Sequence, residues 1–390
     1  MNKILFYIIV VLVIMINSSC TKTSGILGEP EPFVINSGNN IPLDATAQAN
    51  PTITNTNSII PNLLFYTKQG ISNVVYVDLT GISDPTTQQW LKLFGTLKSN
   101  QNIWIEVDNV PKGILVVNNS GTGNKVQADV VFLVDNSGSM SEEADSVAND
   151  IVMWSTKLAQ QGLDLKFGCV GYSVDGKVNG AANLGNQSSI NTFLNRTGFV
   201  GTSRTMGFFG TDSIALKTTA SLNYSNCLDE CGVQALRFAD NTFKYRIGTN
   251  RIYVNFTDEP NQPNNKTDWS VEFLKDQLNW NSAQGTVHTV FSEDSTLYQT
   301  GAQAWSPLQQ ERPWLMSKYT GGTTMFVPSN FSGVNLDLLP VTGAITNTCT
   351  ISFVNSSSVQ NGQHTVKITI KSTNGLVTAE RIFTGVKFGI

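Results

Sequence analysis

Residues Ala128 to Met140 read A-D-V-V-F-L-V-D-N-S-G-S-M, and the way this stretch begins and ends decides the fold. From Asp129 to Val134 the chain is almost continuously apolar and rich in β-branched residues. That run is too short for a helix and typical of a strand buried on both faces. It stops at Asp135, and Asn136-Ser137-Gly138-Ser139 then set two hydroxyls beside a carboxylate on a tight turn. Ser141 can cap a helix with Glu142 and Glu143 in its first turn, where the macrodipole favours negative charge. Val147, Ile151, Trp154 and Leu158 follow at helical spacing on one face. Such a strand-to-helix turn offers only hard oxygen ligands, which suit Mg2+, Ca2+ or Mn2+ rather than zinc.

Asp135, Ser137, Ser139 and Met140 resemble the metal-ion-dependent adhesion site (MIDAS) that opens a von Willebrand factor A (VWA) domain, whose sheet is doubly wound and Rossmann-like. Taken alone, the residues also read as an ordinary polar turn. A second match lies downstream, where the strand Arg251 to Phe256 ends at Thr257-Asp258-Glu259-Pro260. The family places its last metal-coordinating Asp at the end of the fourth sheet strand, and Asp258 is the matching position. A departure lies between them. The family takes a Thr from the loop before a helix that starts with Gly and continues to Ala-Leu, whereas Leu228 to Leu236 reads L-D-E-C-G-V-Q-A-L, without Thr. The resemblance implies a variant site in which Glu230, in preference to Asp229, takes that place. The plainer alternative makes both carboxylates partners of a helix N-terminus.

Strands alternate with helices from Ala128 to about Ile345, which predicts an α/β unit over 128–346 with a doubly wound, mostly parallel sheet. Ligands in such sheets bind at the carboxyl ends of strands where the strand order reverses. The resemblance puts that point between the strands ending at Asp135 and Asp258. Short helices are expected over Thr87 to Phe94, Ser188 to Leu194 and Pro313 to Tyr319, and another carries Val271, Leu274 and Leu278 on one face. Asn195 to Ser225 is hard to read; Arg204, Phe208 and Phe209 make it a candidate surface for a partner. His288 lies in a strand pattern and reads as a packed histidine.

The segments 63–127 and 347–390 both read as strands, with hairpin signals at Asn361-Gly362 and Asn374-Gly375. Neither has enough strands to close a core of its own. The expectation is therefore one split β-sandwich into which the α/β unit is inserted.

At the start, the apolar run Ile4 to Ile16 falls short of the about 20 residues that a membrane span needs and reads as a signal peptide, residues 1–20. Ser18-Ser19-Cys20 resembles a bacterial lipobox, which implies lipidation at Cys20, although Asn17 stands where that motif usually has an aliphatic residue. Residues 21–62, rich in Pro, Gly, Asn, Thr and Ser, are expected to form a flexible tether. The implied location is the bacterial cell envelope, lipid-anchored at the outer membrane or cell surface. Of the other cysteines, Cys169 lies in an apolar strand and reads as a buried thiol. Cys227 and Cys231 are four apart and can form a disulfide if their loop is helical or tightly turned.

The chain carries a net charge of −4 and no basic stripe, which argues against a nucleic-acid partner. The resemblance implies a non-enzymatic protein that binds a protein ligand through, or beside, a divalent cation. Two alternatives stand beside it: a metal-assisted or serine hydrolase, and an envelope scaffold whose cation is purely structural. For the serine hydrolase, Ser173 follows Gly171-Tyr172, but Asp175 occupies a position where a G-x-S-x-G nucleophile elbow requires Gly.

Overall fold

The computed structural model describes residues 40–87, 89–118, 127–160, 163–173, 175–292, 305–331, 336, 340–355 and 362–388. Cys20 and the signal segment lie outside the described residues. Five strands come first: Phe65–Lys68 (β1), Ile71–Leu79 (β2), Ile103–Val107 (β3), Val110–Pro111 (β4) and Ile114–Asn118 (β5). The stretch quoted above forms Gln127–Asp135 (β6). After it come Ala144–Gln160 (α1), Asp164–Ser173 (β7), Lys177–Gly185 (β8), Gln187–Leu194 (α2), Gly207–Phe209 (β9), Ser213–Asn223 (α3), Gly232–Thr242 (α4) and Asn250–Thr257 (β10). The chain continues through Thr286–Phe291 (β11), Leu315–Thr320 (α5), Thr324–Phe326 (β12) and Pro340–Thr346 (α6), and ends in Cys349–Val354 (β13), Gln363–Lys371 (β14) and Thr378–Lys387 (β15).

Seven strands make one sheet in the order β12-β11-β10-β6-β7-β8-β9, with β6 at its centre. Alternate residues of β6 explain why it sits there. Val130, Phe132 and Val134 pack with Val147, Ile151 and Trp154 of α1 on one face. Val131 and Leu133 pack with Val233, Leu236 and Phe238 of α4 on the other. A large apolar side chain is worth about 1.5–3 kcal/mol when fully buried, so a strand apolar on both faces is most stable between two helical layers.

All pairings in this sheet are parallel except β7 with β8. The sheet is therefore mostly parallel, as the sequence leads one to expect, with a single antiparallel pair. The cause is the tight connection at Gly176, whose φ of 61° suits glycine and whose N–H donates to the Ser173 carbonyl at 3.0 Å.

The flanks form two four-stranded antiparallel sheets, β1-β2-β13-β5 and β15-β14-β3-β4, over one shared apolar core. The tail strands lie inside both sheets: β13 pairs with β2 and β5, and β14 with β15 and β3. Arg381 on β15 ties this part to the seven-stranded part. It donates to the carbonyls of Ile60, Tyr319 and Thr320 and to Asn62 Oδ1. Asn62 in turn donates to the Gly285 carbonyl at 2.8 Å.

Three expectations are corrected. The tether does not reach residue 62, because from Asn40 onward the chain is packed: Ile41, Ile60 and Leu63 are buried, and Asp44 pairs with Lys112. Among the described residues of the stretch Thr87 to Phe94 no helix forms. Asp84 accepts from the N–H groups of Thr86 and Thr87, and Ser83 bridges to Trp90, so local side-chain bonds outcompete the helix there. The helical pattern through Leu278 stops early, at the 3-10 turn Val271–Lys275, and Leu278 is 86% exposed. Among the described residues no helix is long and apolar enough to cross a membrane.

Candidate functional site

β6 and β10 lie side by side with Val134 opposite Phe256, so Asp135 and Thr257 leave the sheet together at its carboxyl edge. This is where the order reverses, as β6 leads to β7 on one side and to β10 on the other. Thr257 Oγ1 donates to Asp135 Oδ2 at 2.9 Å, and the Ser137 N–H donates to Asp135 Oδ1 at 3.0 Å, closing the turn. The Ser137 and Ser139 hydroxyls meet at 2.9 Å, and Ser139 Oγ donates to Asp258 Oδ1 at 3.1 Å. The structure thus joins Asp135, Ser137, Ser139 and Asp258 in one hydrogen-bonded chain.

Glu230 lies just before α4 and is buried; its Oε2 accepts from Gln262 Nε2 at 3.1 Å. Burial and the Asp135 charge push Glu230 up to about 9. Burial also raises Asp229, but the outlying carboxylate it senses is Asp175, not Asp135. Of the two neighbours, Glu230 is the one whose ionisation the Asp135 charge opposes. Asp135 itself is pushed up to about 7 by complete burial and then by Asp258.

The sequence reading missed Glu143. The helix begins at Ala144 rather than at Ser141, so Glu143 is not a first-turn residue; it is 1% exposed and accepts from Ser292 Oγ at 2.6 Å. Burial, with a contribution from Asp258, pushes it up to about 7. The signal was present, because Glu143 stands four residues before Val147 on the apolar face of α1.

Arg204 is not a partner surface. It is buried, and it donates to Asp145, Asn149, Asn195 and the Leu194 carbonyl. Cys169, Cys227, Cys231 and Cys349 are buried thiols, and no bridge joins Cys227 to Cys231. Cys231 instead occupies the N-cap of α4 and directs its Sγ to the Trp269 carbonyl at 3.8 Å. His288 is packed, as expected: its Nδ1 lies 2.8 Å from Thr323 Oγ1, and burial lowers it to about 3.

The chemistry of the donor set fits a hard divalent cation. Asp135, Ser137, Ser139 and Asp258 offer only oxygen atoms, and among the described residues no Lys, Arg or His forms an ion pair with Asp135, Glu143 or Glu230. Buried carboxylates without a cation are costly to ionise, which accounts for the upward shifts. Among the described residues no three His, Cys, Asp or Glu side chains converge closely enough to chelate an ion by themselves. Any ion held here therefore depends on the serine hydroxyls.

No protein-family model matches the chain, and no curated protein sequence matches it. Among solved structures it is similar to the pilus adhesin SpaC from Lactobacillus rhamnosus GG in its open conformation, with 12% identity and a TM-score of 0.34. That match covers 86% of this chain and 55% of the adhesin, so the chain spans about half the length of that protein. It is also similar to the manganese-loaded TRAP protein of Plasmodium vivax, with 12% identity and a TM-score of 0.31, over 72% of this chain and 98% of that one.

Proposed function

We propose that this chain is a cell-envelope binding protein that holds one divalent cation, Mg2+, Ca2+ or Mn2+, and engages a protein ligand at that face. The observation that carries the reading is the convergence of Asp135, Ser137, Ser139 and Asp258, from the ends of two strands 122 residues apart, on one hydrogen-bonded cluster. These four side chains would hold the ion, with Glu230 as the acidic neighbour. When bound, the ion would offer a Lewis-acidic point to an oxygen of the partner. In this reading residues 128–346 form a VWA-type domain inserted into a β-sandwich of residues 63–127 and 347–390. A lipid on Cys20 tethers the whole to the membrane.

We read the chain as a binder rather than an enzyme, since its two histidines are engaged away from the site, His288 with Thr323 and His364 with Asp108. The test is retention of an envelope protein on immobilised chain in Mg2+, its release by chelator, and its loss with Asp258→Ala. A partner held equally in chelator, or by the variant, would contradict cation-dependent binding. Cys20→Ser should move the protein out of the membrane fraction, and unchanged lipid labelling of that variant would rule out the anchor.

A further inference from the structure

Asn136 lies between two of the candidate ligands, yet its side chain turns to the back of the turn. It is 2% exposed. Its Nδ2 donates to Asn179 Oδ1 at 2.8 Å and to Thr205 Oγ1 at 3.1 Å, and Asn179 Nδ2 returns a bond to Asn136 Oδ1 at 2.9 Å. Both amide protons and the amide oxygen of Asn136 are therefore engaged. Two glycines make room for this arrangement. A Cβ on Gly171 of β7 would stand 2.6 Å from Asn136 Nδ2, and one on Gly180 of β8 would stand 2.0 Å from the Thr205 carbonyl.

Thr205 is itself fixed. Its neighbour Arg204 donates to Asp145 Oδ1 at 3.2 Å and to Asn149 Oδ1 at 2.9 Å, both on α1, and the Gly201 N–H donates to Asp145 Oδ1 at 3.0 Å. Because α1 grows directly out of the Asp135 turn, the bonds close a ring: turn to α1, α1 to the 201–205 segment, and that segment back to Asn136.

We infer that Asn136, Asn179 and Thr205 form a positioning latch, which fixes from behind the turn that presents Ser137 and Ser139 to the cation. The inference rests on the cation reading above and goes beyond it by naming what preorganises the ligands. Hydroxyls are weak ligands for a hard ion, so holding them in place before binding matters more than it would for a carboxylate. Groups that orient metal ligands without touching the metal typically contribute about 10- to 100-fold in affinity.

The test is calorimetric titration of the full chain with Mg2+ and Mn2+, well below its melting temperature, for wild type, Asn179→Leu, Thr205→Val and Thr205→Ser. Asn179→Leu should weaken cation binding by about 10- to 100-fold and Thr205→Val by about tenfold, while Thr205→Ser, which keeps the hydroxyl, should stay close to wild type. A merely structural role would lower the melting temperature in chelator and leave the affinity of the folded chain unchanged. Should Asn179→Leu fail to fold, the Val and Ser variants of Thr205 decide the matter. Wild-type affinity in the folded Leu and Val variants would overturn the latch alone. A wild-type chain that binds no cation would overturn the metal reading and the latch with it.

Discussion

Ser139 donates a hydrogen bond of 3.1 Å to Asp258, across 119 residues of sequence, where β6 and β10 end side by side. That contact turns two unrelated loops into one site. It also sets a neutral hydroxyl donor against the Asp258 carboxylate, on the side where the Asp135 turn presents its own oxygens.

The cluster should make the metal-free chain unusually sensitive to alkali. Asp135 and Glu143 are pushed up to about 7 and Glu230 to about 9, from ordinary values of 3.8, 4.5 and 4.5. The folded state then holds more protons than the unfolded one between about pH 4 and pH 9. This contribution to stability is complete below about pH 4 and is lost as pH rises through 7 and then 9, at most about 1.4 kcal/mol per pH unit for each group. In chelator the melting temperature should fall between about pH 5 and pH 8, and less steeply in Asp135→Asn. Saturating cation, which favours the ionised carboxylates, should flatten or reverse the fall. A metal-free chain with identical pH dependence in wild type and Asp135→Asn would contradict the coupling.

Glu230 decides what sort of ligand the face accepts. Asp135 and Asp258 already balance a divalent charge, so Glu230 makes the formal sum negative. A ligand carboxylate about 4 Å from Glu230 would meet a repulsion on the order of 4 kcal/mol at an effective dielectric near 20, reduced by water and salt. Glu230→Thr is expected to weaken cation affinity and to strengthen binding of acetate or acidic peptides to the loaded protein. Titrations that show neither change would remove Glu230 from the site.

Arg381 is the bolt between the two parts of the chain. Replacing it with Met leaves the Ile60, Tyr319 and Thr320 carbonyls and Asn62 Oδ1 without that donor. Hydrogen bonds from a charged group are worth about 1.5–3 kcal/mol, so Arg381→Met should cost about 2–3 kcal/mol. The urea midpoint should drop with an unchanged slope. A midpoint equal to that of wild type would show that the interface holds without it.

The tail belongs to both flank sheets, so deleting residues 347–390 removes β13 from between β2 and β5 and β14 from beside β3. The remaining strands would expose edges and apolar faces, and aggregation is expected. Light scattering after size exclusion checks this. A monomeric truncation with the same melting temperature would make the tail an independent module.

What could be read from the sequence follows the strength of local signals. β6 was legible because five consecutive residues, Val130 to Val134, are apolar on both faces. Asp258 was legible because a strand pattern leads straight into it. β8 was not: K-V-N-G-A-A-N-L-G has few β-branched residues, and its Gly180 is there to admit the Thr205 backbone, with helix α3 packed on the strand, rather than to favour a strand. The Val271 to Leu278 pattern misled because its spacing is helical, while Ser270, Asp276 and Asn281 offer the backbone local bonds that break it into short turns. Glu143 was misread for a related reason. Helix-start chemistry suggested an acidic residue of the first turn, whereas α1 begins one residue later and Glu143 is buried against Ser292.

Isothermal titration of Mg2+, Ca2+ and Mn2+ into the full chain, for wild type and Asp258→Ala, tests the cation site most directly. Wild type should bind one ion per chain, and Asp258→Ala should bind none while keeping its circular dichroism spectrum and its melting temperature in chelator. A variant that binds the ion with wild-type affinity, or a folded wild-type chain that binds none of the three, would contradict it.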